Sequence, residues 1–106
     1  MLTILKKQLN LNKKNKFTLL GAGPVSRNVI IACSKISKKK KIPIMMVASR
    51  RQIETKKLSP GYVDNLNTEK YSKLINKLDS KNLILCRDHG GPYQGSEEKL
   101  LSKKIA

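Results

Sequence analysis

The chain has 106 residues, 39% of them hydrophobic and 4% aromatic, and its 23 Lys and Arg against 7 Asp and Glu give a formal charge of +16. That length holds a single domain, residues 1–106; no stretch approaches the roughly 20 apolar residues of a membrane span, and MLTILKKQLNLNKKNK lacks the apolar core and cleavage site of a secretory signal, so a cytoplasmic protein is expected. The basic residues are 19 Lys and only 4 Arg among abundant Asn and Ile, a pattern of lysines spread over tolerant surface, which argues against nucleic acid as a partner although charge alone invites it.

Residues 2–13 carry Leu2, Ile4, Leu5, Leu9 and Leu11 among Lys, Gln and Asn, and predict a short helix within an N-terminal segment 1–16. Phe17 to Leu20 predict a first strand that stops at Gly21-Ala22-Gly23-Pro24, where glycines permit a tight turn and proline opens a helix. From Val25 the apolar positions Val29, Ile30, Cys33 and Ile36 recur at helical spacing, and the lysines 38–41 oppose the negative end of the helix dipole.

Ile42 to Ala48 is a continuous apolar run of the kind buried on both faces of a parallel sheet, and it ends in Ser49-Arg50-Arg51-Gln52. After a turn at Ser59-Pro60-Gly61, Asn67 or Thr68 caps a helix whose Tyr71, Leu74, Ile75 and Leu78 form one apolar stripe. Leu83 to Cys86 predict a third strand leading into Arg87-Asp88-His89-Gly90-Gly91-Pro92, and Ser96-Glu97-Glu98 opens a last helix through Leu100, Leu101 and Ile105. Cys33 and Cys86 lie in apolar runs without CxxC spacing, and predict buried thiols. Helices alternating with strands predict an α/β fold with a parallel sheet, residues 17–106 forming three βα units. The polar clusters 21–28, 49–52 and 87–91 each follow a strand, so all three should meet at the carboxyl ends, where parallel α/β folds bind ligands.

Asp88-His89-Gly90-Gly91 is the cluster with the most chemistry. A carboxylate and an imidazole at consecutive positions are expected to point apart, one to a metal and one to a proton, with glycines that let a substrate reach the backbone. Gly21-Ala22-Gly23-Pro24-Val25-Ser26 between strand and helix has the outline of a dinucleotide fingerprint, and Arg50 after the next strand would receive a 2′-phosphate; Gly21, Gly23, Ser49 and Arg50 therefore define an alternative NADP-binding Rossmann-like module. Against it, Pro24 removes a backbone donor near the pyrophosphate. Ser49 also suits a substrate phosphate or hydroxyl. The single histidine and the lack of a GxSxG context leave no nucleophilic triad.

The segments FTLLGAGPVSRNVIIAC, IPIMMVASRRQIE, SPGYVDNLNTEKYSKLI and LILCRDHGGPYQ together resemble the class II tagatose-bisphosphate aldolase family, in particular its non-catalytic Z-type subunit. In that family the second strand runs into an Ala-Thr-Ser-Asn-Gln-like stretch, to which Ala48, Ser49 and Gln52 correspond while Arg50 and Arg51 depart. A Gly-Gly-Tyr element is represented by Pro60-Gly61-Tyr62. The third strand ends in an Asp-His followed by Gly-Pro, as Asp88, His89, Gly91 and Pro92 do here. The resemblance implies the first three βα units of an aldolase-type TIM (β/α)8 barrel, with the carboxylate of Asp88 in proton transfer, His89 on a divalent metal such as zinc, and Ser49, Gln52, Gly90 and Gly91 near a sugar phosphate. Later barrel strands supply the family's other metal-binding histidines, so with one histidine this chain cannot complete the zinc site. The expectation is a fragment or truncated homologue of a sugar-bisphosphate aldolase (a lyase of carbohydrate metabolism), inactive alone, whose partner is a catalytic aldolase subunit or a complementary barrel fragment. The NADP module and a basic nucleic-acid-binding protein are the alternatives.

Overall fold

A computed structural model describes residues 2–58, 61–79 and 81–91. The elements run α1 (Leu2–Lys14), β1 (Leu20–Ala22), α2 (Arg27–Lys40), β2 (Ile44–Ser49), α3 (Thr68–Asp79) and β3 (Leu83–Asp88). The strands form one parallel sheet in the order β1-β2-β3, as the alternation predicts. Leu20 pairs with Ile44 and Ala22 with Met46; on the other side Ile44 pairs with Leu83 and Ser49 with Asp88. The predicted helix over 96–105 and the Ser59-Pro60 turn lie outside the described residues.

The core sits between the sheet and the helices α2 and α3. Ile44, Met46 and Ala48 of β2 are buried alternately along the strand and meet Leu83 of β3, Ile30 of α2, and Tyr71 and Ile75 of α3. Burying each large aliphatic side chain contributes about 1.5–3 kcal/mol relative to leaving it exposed. The α3 stripe is as the spacing predicts, with Tyr71 and Ile75 buried and Leu74 and Leu78 half-buried. Its cap is Asn67, whose Oδ1 accepts from the Lys70 amide at 2.8 Å.

Several boundaries and faces differ from the sequence expectation. The first strand is Leu20–Ala22 rather than residues 17–20, because pairing with Ile44–Met46 carries the sheet through Gly21. Helix α2 starts at Arg27 after Ser26, whose hydroxyl accepts from the Val29 amide at 3.3 Å and caps it where Pro24 has no such side chain. Its buried face is Ile30, Ser34 and Ser37, while Ile36 is 50% exposed. Ser37 satisfies its own hydroxyl by donating to the Ile42 carbonyl at 2.8 Å, so a small polar residue packs where an apolar one was expected. Lys41 then ends the helix in a left-handed conformation with φ 53°.

Strand β2 is not buried on both faces: Met45, Val47 and Ser49 opposite the helix side are half-buried. Strand β3 extends past Cys86 through Arg87 and Asp88, because parallel pairing continues to the end of β2. Cys33 and Cys86 are free and half-buried rather than fully buried, and burial raises both thiol pKa values above their usual range. None of the described helices is long and apolar enough to cross a membrane.

Candidate functional site at the carboxyl ends of the strands

The last residue of β2 and the last residue of β3 are register partners, which sets Ser49 beside Asp88. Beyond Ser49 the chain makes a single turn, with the Gln52 and Ile53 amides donating to the Ser49 carbonyl at 3.2 and 3.1 Å. Ser49 and Gln52 close it reciprocally. The Gln52 amide donates to Ser49 Oγ at 3.3 Å, and Gln52 Oε1 accepts from the Ser49 amide at 2.9 Å. This is a capping box in the Ser-x-x-Gln spacing, two backbone donors satisfied by two side chains. Both residues read as sugar-phosphate contacts therefore do structural work at the strand end.

Arg50 turns inward. It is 6% exposed, its Nε donates to Glu54 Oε2 in a buried ion pair, and its Nη1 donates to the Gly91 carbonyl. A guanidinium so engaged is not positioned for the 2′-phosphate of NADP. Helix α2 adds a second obstacle, because the Asp64 carboxylate accepts from the Arg27 amide at 2.5 Å. A fixed carboxylate at the amino end of α2 occupies the place a pyrophosphate would take and repels it. Asp64 and its neighbour Asn65 reach this position with φ 44° and 53°, conformations that Asp and Asn tolerate better than most residues.

Arg87 is the organising side chain that sequence reasoning passed over. From β3 its Nη1 donates to the carbonyls of Ser49 at 3.2 Å and Ile53 at 2.6 Å, and its Nη2 to Thr68 Oγ1 at 3.2 Å. One guanidinium fork thereby joins the end of β2, the capped turn and the first residue of α3. The spacing signal was present in its place at the strand end beside other polar residues, but nothing in the sequence names the carbonyls it meets. Gly23 completes the convergence: a Cβ built there would lie 3.5 Å from Gln52 Nε2. The three polar clusters do meet at one end of the sheet.

Asp88 and His89 do not point apart. His89 has φ 44°, and this left-handed step out of the strand folds its ring back onto the preceding carboxylate. Asp88 Oδ1 accepts from the His89 amide at 2.9 Å, and Oδ2 lies 2.8 Å from His89 Nδ1. With the proton on Nδ1 facing the carboxylate, Nε2 is left as the outward acceptor. The side chains are 69% and 52% exposed for His89 and Asp88. Gly90 and Gly91 follow directly; a Cβ at Gly90 would come within 3.0 Å of Arg87 Cγ, while Gly91 has open space.

A carboxylate that holds Nδ1 and leaves Nε2 free is the usual orientation of a metal-binding or proton-transferring imidazole. The donor set goes no further. Among the described residues no group of three His, Cys, Asp or Glu side chains converges, so a zinc ion at His89 would need ligands from another chain or segment. Compared with protein-family models, with curated proteins and with solved structures, this chain matches none.

Proposed function

We propose that this chain is a wall segment of an aldolase-type (β/α)8 barrel related to the class II tagatose-bisphosphate aldolases. It serves a cytoplasmic sugar bisphosphate together with a catalytic aldolase subunit or a complementary barrel fragment, and is inactive alone. The observation that supports this reading is the Asp88–His89 pair at the carboxyl end of β3, directly beside Ser49 at the end of β2 in a parallel sheet. Ligand chemistry in such barrels sits at that end of the strands. In this reading Asp88 fixes the His89 ring and holds a proton at Nδ1, and His89 offers Nε2 to a divalent metal completed by the partner. Gly90 and Gly91 border the space a sugar phosphate would enter, and Gly91 leaves its backbone open there.

The geometry disfavours the NADP alternative, because Arg50 is buried against Glu54 and Asp64 holds the amino end of α2. The test is to mix the full chain with the catalytic subunit of a class II tagatose-bisphosphate aldolase and measure cleavage of tagatose 1,6-bisphosphate and thermal stability of the mixture. The reading expects co-elution and a rise in both quantities. Separate elution with neither quantity changed overturns it.

A further inference from the structure

Lys56 and Lys57 stand on the loop after β2, and Lys70 and Lys73 on α3; with Thr55, Asn67 and Glu69 they line a cleft of about 800 Å3. Residues three apart on a helix share one side, so Lys70 and Lys73 present two ammonium groups to the same space. The loop is held against the helix by backbone. Glu54 bridges Asn67, the Thr68 amide donates to the Glu54 carbonyl at 3.1 Å, and the Leu58 amide donates to the Thr55 carbonyl at 3.2 Å. Beneath it the buried Arg50–Glu54 ion pair fixes the same loop to the turn after β2. The two lysine pairs therefore face one cleft on backbone that is already mutually hydrogen-bonded.

Four ammonium groups here oppose one carboxylate, that of Glu69, and none of the five makes an ion pair among the described residues. The amino end of α3 borders the cleft and adds partial positive charge. Thr55 lines the same cleft, and its hydroxyl is buried without a hydrogen-bond partner. Like charges gathered this way repel one another unless an anion lies between them. A cleft of that volume is in the range of small-molecule sites, roughly 300–1,000 Å3, and larger than one phosphate group needs. Lysine suits phosphate as a point charge that does not demand a planar partner.

We propose that this cleft is a binding site for a condensed phosphate, the linear chain of two or three phosphoryl groups found in free oligophosphate and in nucleoside triphosphates. It shares no lining residue with the Asp88–His89 pair, and it stands whether or not the aldolase reading holds.

The experiment is calorimetric titration of the full chain with tripolyphosphate and, separately, with ATP, each against sodium chloride at equal ionic strength. Binding above the salt control is expected for both. Tighter tripolyphosphate identifies the free oligophosphate as ligand, and tighter ATP identifies the nucleotide. Lys56→Gln with Lys57→Gln, and Lys70→Gln with Lys73→Gln, should each weaken binding by about tenfold or more. Glu69→Gln should tighten it. All five positions are exposed, so these variants leave the core intact. Lys38→Gln with Lys39→Gln, at the far end of α2, should leave affinity unchanged. Binding no stronger than the salt control, or an equal loss in the Lys38 and Lys39 variant, overturns the proposal; the second outcome describes a diffuse positive surface of the kind that also attracts RNA.

Discussion

Ser49 and Gln52 satisfy each other's backbone at the end of β2, the Gln52 amide on Ser49 Oγ at 3.3 Å and the Ser49 amide on Gln52 Oε1 at 2.9 Å. A capping side chain is worth about 1 kcal/mol. Ser49→Ala should therefore lower stability by about that amount, a fall in melting temperature of roughly 4–8 °C for a domain of this size. Gln52→Glu should keep most of it, because a glutamate at this spacing closes the same box. Urea denaturation of the three proteins checks both outcomes, and a Ser49→Ala variant as stable as the parent would remove the capping role.

Gly61 is required by closeness rather than by dihedral freedom. A Cβ built on it would lie 2.0 Å from the Gln52 carbonyl oxygen, because this segment crosses the capped turn with the Tyr62 amide on the Arg51 carbonyl at 3.2 Å and the Val63 amide on the Gln52 carbonyl at 3.1 Å. Backbone cannot yield as a flexible side chain does. Gly61→Ala should cost about 1–3 kcal/mol, the range for forcing an extra carbon into packed structure. Gly91→Ala, with nothing within 4 Å of its added carbon, should cost almost nothing by comparison. Paired melting curves of the two variants make the measurement.

The parallel sheet and the α3 stripe were legible because each rests on local periodicity: alternating strand and helix patterns, and Tyr71, Leu74, Ile75 and Leu78 at helical spacing. The edges of β1 and β3 were not, since pairing with β2 decides where a short strand stops. The site was legible as a location and not as an arrangement. Three polar clusters after three strands predict a common end, yet the inward turn of Arg50 to Glu54 and the folding of His89 onto Asp88 depend on a buried carboxylate and a left-handed backbone step. Asp64 on the Arg27 amide is a contact across 37 positions of sequence, and no local pattern announces it.

Arg87 should resist conservative replacement. Its guanidinium reaches the Ser49 and Ile53 carbonyls and Thr68 Oγ1 at once, a fork that a single ammonium cannot reproduce. Arg87→Lys should cost about 1 kcal/mol or more through the hydrogen bonds it loses. In hydrogen exchange the Ile53 amide should lose protection, because the turn it closes is no longer tied to β3. Unchanged exchange at Ile53 in a destabilised protein would place the loss elsewhere.

Tyr71 sets the response to alkali. Its ring is 4% exposed and its hydroxyl is buried without a hydrogen-bond partner. Burial pushes the phenol pKa well above its ordinary value, with the nearby Arg87 charge opposing the shift and Cys33 and Cys86 adding to it. An unfolded chain loses that proton near pH 10. Above this pH the folded protein therefore holds a proton that the unfolded chain has released, and stability falls as pH rises; below it the contribution is fully present. The thiols of Cys33 and Cys86, raised by burial in the same direction, begin the decline from about pH 9. Tyr71→Phe keeps those thiols and the ring while removing the hydroxyl. At pH 7 the variant should be as stable as the parent or slightly more so, because it no longer buries an unpaired donor. Between pH 9 and 11 the difference in unfolding free energy should grow steadily in the variant's favour. Urea midpoints at half-unit steps of pH measure it, and two curves that stay parallel through pH 11 would mean that the phenol ionises equally in both states.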